Sequence, residues 1–492
     1  MSESVINRIV GGPSGAGHRI TFQRLDGTSS MTLTELHLAA ERLARGLRAS
    51  GIEEGDRIGI LMPNCPEWVL LDLAAIRLKA VTCGFEPGKF AGDQALADRY
   101  RLAMLVTDRS EVARLIDVGE EAASDWPAPV YRPDDVTTIK FTSGSTGEPK
   151  GLAATAGSID SSINAVQEMF AHGDGDNLFI FLPLSLLQQR YWIYSALCFG
   201  HDVTVSTYEA AFPSLRRASA TVVMGVPAFY ENARRHIEGR AARAGGLAPA
   251  ARELFGDRIR YLWTGSAPAR RSMLRFFTEA GMPIYEGYGL NETCIVAKNH
   301  PGAHREGSVG QVLPGKKVLL DADGLISVYS DHPVNTRYEY AAPGESERVF
   351  APDGTVRTGD IGYIDEDGFL FIRGRADDMV ALENGRNVFV RPLEEFLAGT
   401  PAIDQCVVLA HDSSNLAAVV SPADDPPDEE AIHARVAEAN ASFSPDERIG
   451  RVVIAPEPFS VEDGMLTAQF KPRRRRIAER FLLRLEAARD GI

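Results

Sequence analysis

A glycine- and hydroxyl-rich segment at residues 142–151, Thr-Ser-Gly-Ser-Thr-Gly-Glu-Pro-Lys-Gly, follows a run of β-forming residues at 137–141. Its glycines remove side-chain bulk and permit positive φ, so successive backbone N–H groups can converge on one anion. The hydroxyl side chains add hydrogen-bond donors, and Lys150 adds a positive charge. The segment therefore predicts a loop, placed directly after a strand, that binds a polyphosphate.

This segment is not a Walker A loop, because that motif requires a lysine directly after its second glycine. Here Glu148 and Pro149 intervene, and Pro149 also disfavours a helix that starts at once. The alternative interpretation is a flexible surface turn, which is common for segments rich in glycine and serine.

Length and charge exclude several classes of protein. The 492 residues predict more than one domain. The net charge of −15 argues against general nucleic-acid binding, and we interpret the arginine run at 473–476 as the polar start of a helix.

Five cysteines without a C-x-x-C pair favour a reduced protein over a disulfide framework or a zinc site. Residues 1–17 lack the apolar core of a signal peptide, and no apolar stretch is long enough to span a bilayer, so we expect a cytoplasmic protein.

Strand and helix patterns alternate along the first part of the chain. Thr32 to Glu35 fits a capping box, and the apolar spacing after it predicts a helix that ends before Gly51. Residues 56–62 are typical of a buried strand, and residues 67–79 of a helix. This alternation predicts an α/β sheet, whereas the pattern after Gly374 changes to a short α+β stretch.

Further motifs follow in a fixed order: Tyr-Leu-Trp-Thr-Gly-Ser-Ala-Pro at 261–268, Tyr-Glu-Gly-Tyr-Gly-Leu-Asn-Glu-Thr at 285–293, Thr-Gly-Asp at 358–360 and Arg-Gly-Arg-Ala-Asp-Asp at 373–378. Together with the segment at 142–151 they resemble the adenylate-forming superfamily, which contains acyl-CoA synthetases, aryl-acid ligases, luciferases and peptide-synthetase adenylation domains. The segment at 466–473 resembles the C-terminal motif of the fatty-acyl branch. The resemblance extends from about residue 33 to about residue 476.

The resemblance implies a fold and a division into domains. A large multi-subdomain N-terminal α/β domain, the AMP-binding adenylation domain, would span residues 1–374. A small C-terminal α+β lid domain would span residues 375–492, with Asp377 as the hinge.

The resemblance also implies roles for individual residues. It makes Lys471, Glu292 and Thr142 the catalytic residues, with Glu292 holding Mg²⁺. It assigns ATP binding to Thr142, Ser143, Gly144, Ser145, Thr146, Gly147, Lys150, Gly265, Ser266, Ala267, Gly287, Tyr288, Gly289, Asn291, Asp360 and Arg375.

These residue types suit the implied reaction. Forming an acyl-adenylate brings a carboxylate to the α-phosphate, and because both partners are anions the protein must supply positive charge and donors. Mg²⁺ prefers carboxylate and phosphate oxygens, which fits Glu292. A point charge on a flexible stem fits Lys471, which must arrive and then leave. Taken singly, each residue has a plainer interpretation: Asp360 as a turn residue, Glu292 as a helix N-terminal carboxylate and Lys471 as a surface lysine.

The acid and its acceptor are less constrained. A set of five residues is expected to line the acid pocket and favours an apolar or aromatic group: Leu186, Tyr191, Met224, Phe229 and Gly265. Leu186 stands where long-chain ligases carry a histidine. The resemblance implies CoA or a carrier-protein phosphopantetheine as acceptor. It also implies that the small domain first rotates about Asp377 and withdraws Lys471. CoA-using relatives often have two glycines where this chain has Asn384-Gly385, and this difference leaves the acceptor open.

Two other functions remain open from the sequence. One is an adenylate-forming enzyme of secondary metabolism that uses an amine acceptor or activates nitrite for N–N bond formation. Leu186, Asn291 in place of the usual Thr or Ser, and the compact length favour it. The other is a non-catalytic nucleotide-binding protein on the same fold, which the presence of Lys471, Glu292 and Asp360 disfavours.

Overall fold

The computed structural model describes residues 4–14, 17–122, 126–143, 149–376, 379–382, 387–410, 415–460, 462–466 and 472–486, with the side chains at 142–143, 381, 387, 446 and 482–486 left aside. The chain forms two compact units. The first unit comprises residues 1–321, 326–358 and 364–371. The second comprises residues 322–325, 359–363 and 372–492.

The helices of the first unit are α1 (Val5–Gly11), α2 (Leu33–Ala49), α3 (Pro66–Leu78), α4 (Gln94–Tyr100), α5 (Arg109–Glu121), α6 (Ala156–Phe170), α7 (Leu187–Phe199), α8 (Ala211–Ala218), α9 (Pro227–Ala244), α10 (Leu247–Phe255), α11 (Arg271–Glu279) and α12 (Glu345–Val349). Those of the second unit are α13 (Val390–Leu397), α14 (Glu429–Ser442) and α15 (Arg474–Glu486).

The strands divide among five sheets. Those before residue 315 are β1 (Arg19–Arg24), β2 (Gly27–Thr32), β3 (Arg57–Leu61), β4 (Val81–Phe85), β5 (Met104–Val106), β6 (Val136–Ser143), β7 (Pro149–Thr155), β8 (Asn177–Ile180), β9 (Asp202–Ser206), β10 (Val222–Gly225), β11 (Tyr261–Thr264), β12 (Ile284–Leu290), β13 (Cys294–Lys298) and β14 (Gln311–Val312). Those after it are β15 (Lys316–Leu320), β16 (Leu325–Ser330), β17 (Val356–Ile364), β18 (Leu370–Arg375), β19 (Met379–Ala381), β20 (Asn387–Phe389), β21 (Ile403–Ala410), β22 (Leu416–Pro422) and β23 (Ile449–Ile454).

The largest sheet has nine strands in the order β14-β13-β12-β11-β10-β8-β9-β1-β2. Its middle, from β12 to β1, is parallel throughout, and antiparallel strands close both edges. The carboxyl ends of parallel strands lie at one edge of a sheet, where ligands bind in open α/β folds. The segments that follow β8, β10, β11 and β12 therefore leave the sheet on the same side.

A second sheet of the first unit has the order β5-β3-β4-β6-β7. Strands β3, β4, β5 and β6 are parallel, and β7 returns antiparallel to β6. The register pairs Phe141 with Gly151 and Thr142 with Lys150, so the two ends of the glycine-rich segment are adjacent. A strand, and not a helix, follows the segment, as Pro149 indicated. The remaining sheets have the orders β15-β16-β17-β18, β19-β20 and β21-β22-β23.

The nine-stranded sheet separates two hydrophobic cores. Along β10, Val222 and Met224 belong to one core and Val223 to the other, because successive side chains of a strand point to opposite faces. Helices α2, α3, α6 and α7 contribute to the first core, and α8, α9, α10 and α11 to the second. The parallel middle is thus buried on both faces, as an α/β protein requires. The predicted α/β fold, with a smaller α+β unit at the C-terminus, is confirmed.

The capping box predicted before α2 is present: the Thr32 side chain accepts from the Glu35 N–H, and Glu35 accepts from the Thr32 N–H. Helix α2 crosses α5 at two glycines. A Cβ on Gly46 would lie 1.8 Å from the Leu115 carbonyl oxygen, and one on Gly119 would lie 1.9 Å from the Arg42 carbonyl oxygen. Only glycine permits this close approach.

In the second unit, a core of aliphatic side chains joins α13 and α14 to the sheet β21-β22-β23. The arginine run does begin a helix, α15, as predicted. Its Arg474 forms two hydrogen bonds with the Glu394 carboxylate, at 2.8 and 3.0 Å, which anchors α15 to α13.

The cysteines at 65, 83, 198, 294 and 406 are all buried, and no disulfide joins them. Burial raises the pKa of Cys65 to about 11 and that of Cys83 to about 12. Across the described residues, no helix has both the length and the apolar composition needed to cross a bilayer.

Candidate active site

The glycine-rich segment is supported by the β6–β7 pair. Residues 144–148 and the side chains of Thr142 and Ser143 lie outside the described residues, so the structure gives no account of the predictions for them. The strands on either side are described, and Gly151 also exchanges backbone hydrogen bonds with Glu339, at 2.9 and 2.7 Å. The segment therefore leaves from and returns to a fixed strand pair.

Lys150, predicted to contact phosphate, has a protein partner. Its ammonium group lies 3.0 Å from the Glu345 carboxylate and 5.0 Å from the centre of the Tyr338 ring. The Tyr338 hydroxyl donates to the Glu292 carboxylate at 2.7 Å. Tyr338 thus connects the phosphate-segment lysine to the carboxylate expected to hold Mg²⁺.

The Glu292 carboxylate fits a shared magnesium ion. Mg²⁺ in proteins usually takes one or two carboxylates, several waters and substrate phosphates. Glu292 is half-buried, and one of its carboxylate oxygens accepts a hydrogen bond from the Tyr338 hydroxyl. Elsewhere in the described residues, no three His, Cys, Asp or Glu side chains gather closely enough to hold a metal. The donor set therefore suits an ion held jointly with phosphates.

The small-residue turn after β11 is fixed from behind by a buried lysine. Ser266 adopts a φ of 68°, and Ser266 and Ala267 are exposed. A Cβ on Gly265 would meet only the Gly287 carbonyl oxygen, at 3.5 Å, so the space above Gly265 is open. The Lys298 ammonium donates to the carbonyl oxygens of Thr264 and Tyr285, at 3.3 and 2.6 Å, and lies 3.8 Å from the centre of the Trp263 ring. Sequence reasoning missed Lys298.

The motif on β12 is irregular where ligand contact was predicted. The β12–β13 register shifts between Tyr288 and Gly289, which is a β-bulge. A Cβ on Gly287 would lie 2.6 Å from Lys298 Cδ, and one on Gly289 only 1.9 Å from the Cys294 carbonyl oxygen, so both positions require glycine. Tyr288 is half-buried on this strand, and Asn291, at the turn that follows, is exposed.

The structure does not gather the residues predicted for the acid pocket on one face. Tyr191 and Met224 are 1% and 3% exposed in the first core, whereas Phe229 is 1% exposed in the second, with its ring 4.4 Å from that of Phe181. Leu186 is exposed, just before α7. Their spacing along the sequence gave no information on which face of the sheet each would occupy.

Two further lysines lie buried against the turn at 291–293. Lys140, on β6, donates to the Asn291 carbonyl oxygen, and Lys316, at the start of β15, donates to the Thr293 carbonyl oxygen. Sequence reasoning missed both. Lys140 could have been noticed, because a lysine within a run of β-forming residues either extends to solvent at the edge of the sheet or is buried.

Asp360 and Arg375 lie in the second unit and contact one another. Arg375 Nη1 donates to Asp360 Oδ1 at 3.1 Å, and Asp360 is 4% exposed. Gly359 takes a φ of 72°, and its Cβ position would lie 3.0 Å from Arg375 Nη2. The predictions for Asp377, for Asn384-Gly385 and for Lys471 fall outside the described residues.

Comparison with known proteins gives two family matches. The AMP-binding enzyme family matches residues 14–329, and the family of AMP-binding enzyme C-terminal domains matches residues 377–490. The first match alone covers more than half of the chain.

Individual relatives agree. Long-chain-fatty-acid–CoA ligase FadD15 of Mycobacterium bovis is 28% identical over 568 positions, covering 95% of this chain and 94% of the relative. Feruloyl-CoA synthase of an Amycolatopsis species is 26% identical over 423 positions, covering 78% of this chain and 81% of the relative. The solved structure of O-succinylbenzoate coenzyme A synthetase from Bacillus subtilis, in complex with ATP and magnesium ion, has a TM-score of 0.76 at 22% identity, covering 96% of this chain and 99% of that chain. The chain therefore belongs to the AMP-binding enzyme family of adenylate-forming acid ligases and, within it, resembles the fatty-acyl-CoA synthetase branch.

Proposed function

We propose that this enzyme activates an acid with ATP, releases pyrophosphate, and transfers the activated group to a thiol of CoA or of a carrier-protein phosphopantetheine. Family membership supports the adenylation, and relatives named as CoA ligases support the thiol acceptor. The observation that carries the proposal is the path from Lys150 over the Tyr338 ring to Glu292, with the last contact at 2.7 Å. This path connects the glycine-rich segment to the turn that carries Glu292. The reaction needs these two segments side by side, although they are far apart in the sequence.

The first half-reaction is a substitution at the α-phosphorus of ATP. An oxygen of the acid forms a bond to that phosphorus, the bond from it to the β-bridging oxygen breaks, and pyrophosphate leaves. The residues at 142–151 would hold the phosphates with backbone and hydroxyl donors, and Glu292 would hold Mg²⁺, which supplies positive charge to the phosphate oxygens. Gly265, Ser266 and Ala267 would lie against adenine or the acid, with Tyr288 stacked on adenine.

The C-terminal part would act in both half-reactions. We assign residues 1–374 to the adenylation domain and residues 375–492 to a mobile lid, with the hinge at Asp377. Lys471 would bridge the acid and the α-phosphate in the first half-reaction. Asp360 and Arg375 would contact the ribose hydroxyls and a phosphate.

In the second half-reaction a thiol would replace AMP. The thiolate sulfur forms a bond to the acyl carbon, the acyl carbon–oxygen bond to AMP breaks, and the thiol proton passes to solvent. A rotation about Asp377 that withdraws Lys471 would open the site to the thiol, a movement of the hinge class. Five cysteines without a disulfide suit a reducing compartment, and we propose that the enzyme works in the cytoplasm.

A pyrophosphate-release assay tests this function. The panel contains fatty acids, aryl acids, nitrite and amines, each with and without CoA. Acid-dependent release by the wild type, and its loss in Lys471→Ala with an unchanged melting temperature, are expected; Arg473→Ala, an exposed neighbour, is the matched control. Full release by Lys471→Ala would remove the role of Lys471. Tight ATP binding without release for any acid would favour the non-catalytic alternative, and turnover with an amine in place of CoA would favour the amine acceptor.

A further inference from the structure

Two lysine ammonium groups lie buried beneath the turn at 291–293. Lys140 is 6% exposed and Lys316 is 8% exposed. Each donates one hydrogen bond to a main-chain carbonyl oxygen of this turn, at Asn291 and Thr293 respectively. An ammonium group carries three N–H donors. Among the described residues, each lysine therefore keeps two donors that no protein acceptor takes.

The charge of this pair is poorly compensated. Neither lysine forms an ion pair with a carboxylate in the described part of the chain. The carboxylate that acts on Lys140 through space is that of Glu292, which already accepts from Tyr338. Burial lowers the pKa of both lysines, and the pKa of Lys316, which Lys140 also repels, falls to about 8. Burial of an ammonium group without a counter-ion is unfavourable, so an arrangement of this kind indicates that an anion completes it.

Two further polar side chains lie beside the same turn. The Cys294 thiol lies 3.3 Å from the Tyr191 hydroxyl, and both side chains are buried. Cys294 also contributes to the electrostatic surroundings of both lysines. Because the lysines, the tyrosine and the cysteine are each less than 9% exposed, an anion held here must be small.

Two of the residues expected to hold an apolar or aromatic acid, Met224 and Phe229, are occupied by packing. Met224 is 3% exposed within the first core, and Phe229 is 1% exposed between the rings of Phe181 and Phe212, whose centres lie 4.4 and 4.8 Å away. Trp192 and Trp263 contact edge to face at 4.9 Å. These side chains fill the space between the elements, so they do not form a channel for a fatty chain.

Resting on the proposed function, we propose that Lys140 and Lys316 bind the oxyanion that the enzyme activates, and that this substrate is a small planar anion with one negative charge shared by two oxygens. Formate, acetate and nitrite all have this chemistry. Such an anion accepts several N–H donors at once and fits an enclosed site, and one of its oxygens would attack the α-phosphorus while pyrophosphate leaves.

The test compares KM values for the anion and for ATP in the pyrophosphate-release assay, with sodium formate, sodium acetate, sodium nitrite, benzoate and octanoate as separate acids. The variants are Lys140→Met and Lys316→Met, which keep side-chain length but remove the charge. Lys317→Met is the matched control, because Lys317 is the exposed neighbour of Lys316 on β15. We expect a KM at least about tenfold higher for the small anion in both variants, the value of one charge-assisted hydrogen bond, with KM for ATP unchanged. The control should match the wild type.

Each outcome bears on the proposal. The responding salt identifies which small anion is the substrate. Preference of the wild type for octanoate or benzoate would overturn the inference while leaving the proposed function intact, and no release with any acid would count against the function itself. Equal rises in KM for ATP and for the anion would also overturn it, because they indicate a structural role. If a variant does not fold, the salt panel on the wild type still decides: one of the small salts should give the lowest KM, and a lower KM for benzoate or octanoate would contradict the assignment.

Discussion

The Lys150 ammonium lies 3.0 Å from the Glu345 carboxylate, and the two side chains are only 13% and 16% exposed. The lysine that the glycine-rich segment offers to phosphate is therefore paired with a carboxylate of α12. A nucleotide phosphate that binds the Lys150 ammonium has to displace the Glu345 carboxylate.

Glu345→Gln should therefore strengthen ATP binding. The substitution removes the competing charge, and ion pairs near the surface are weak, so KM for ATP should fall about twofold to fivefold. Steady-state kinetics at saturating acid measure the effect. Glu347→Gln, at an exposed position of the same helix, is the control. An unchanged or higher KM in Glu345→Gln would mean that Lys150 does not leave Glu345.

Asp360→Asn should reduce discrimination between ATP and 2′-deoxy-ATP. If the Asp360 carboxylate accepts from the ribose hydroxyls, the wild type should prefer ATP by about tenfold, the value of a hydrogen bond to a charged group. The variant should show a much smaller preference. The ratio of kcat/KM for the two nucleotides is the measurement, because a general disturbance of the Asp360–Arg375 contact would lower both values equally. A preserved preference would leave Asp360 with a structural role alone.

Two buried histidines should make the fold sensitive to acid. Burial lowers the pKa of His172 to about 3 and that of His201 to about 4. Between the ordinary histidine pKa near 6.5 and these values, the unfolded chain binds protons that the folded chain does not. Stability is therefore fully present above about pH 6.5 and falls with decreasing pH, by about 3 kcal/mol per pH unit for the pair.

Urea unfolding at pH 7, 6 and 5 measures this loss. In His172→Gln the change in the free energy of unfolding per pH unit should fall to about half, because only one of the two histidines remains to bind a proton on unfolding. His236→Gln, at an exposed position of α9, should keep the wild-type slope. Identical slopes in all three proteins would show that the carboxylates, and not these histidines, set the acid sensitivity.

The crossing of α2 and α5 depends on two glycines. Gly119→Ala would place a Cβ 1.9 Å from the Arg42 carbonyl oxygen, and we expect it to destabilise the fold by about 3 kcal/mol. Gly239→Ala is the matched control, since its Cβ would have nothing within 4 Å in the interior of α9. It should stabilise the protein by about 0.5–1 kcal/mol through helix propensity. Thermal unfolding measures whether Gly119→Ala lowers the stability of the protein while Gly239→Ala raises it.

Local signals in the sequence predicted the elements well. The Thr32 capping box, the strand before residue 142 and the helix after Pro472 follow from short patterns that neighbouring residues determine. The parallel sheet followed from the alternation of strand and helix patterns.

Contacts between distant segments were not predictable in the same way. Glu345 and Tyr338 contact Lys150 only because the chain returns to this place after 188 or more residues. The division of Tyr191 and Phe229 between opposite faces of the sheet depends on how α7 and α9 pack. A buried lysine such as Lys140 contradicts the usual preference of lysine for water, so its position follows from tertiary structure alone.

The five enclosed cysteines offer a way to follow the proposed lid in solution. Buried thiols react slowly with maleimides, and the raised pKa values of Cys65 and Cys83 slow these two further. Cysteines introduced at the exposed positions Ala242 and Ala437, one in each unit, would then take a donor and an acceptor dye without removal of any native residue. Energy transfer between the dyes would report, molecule by molecule, whether ATP and the thiol acceptor favour different arrangements.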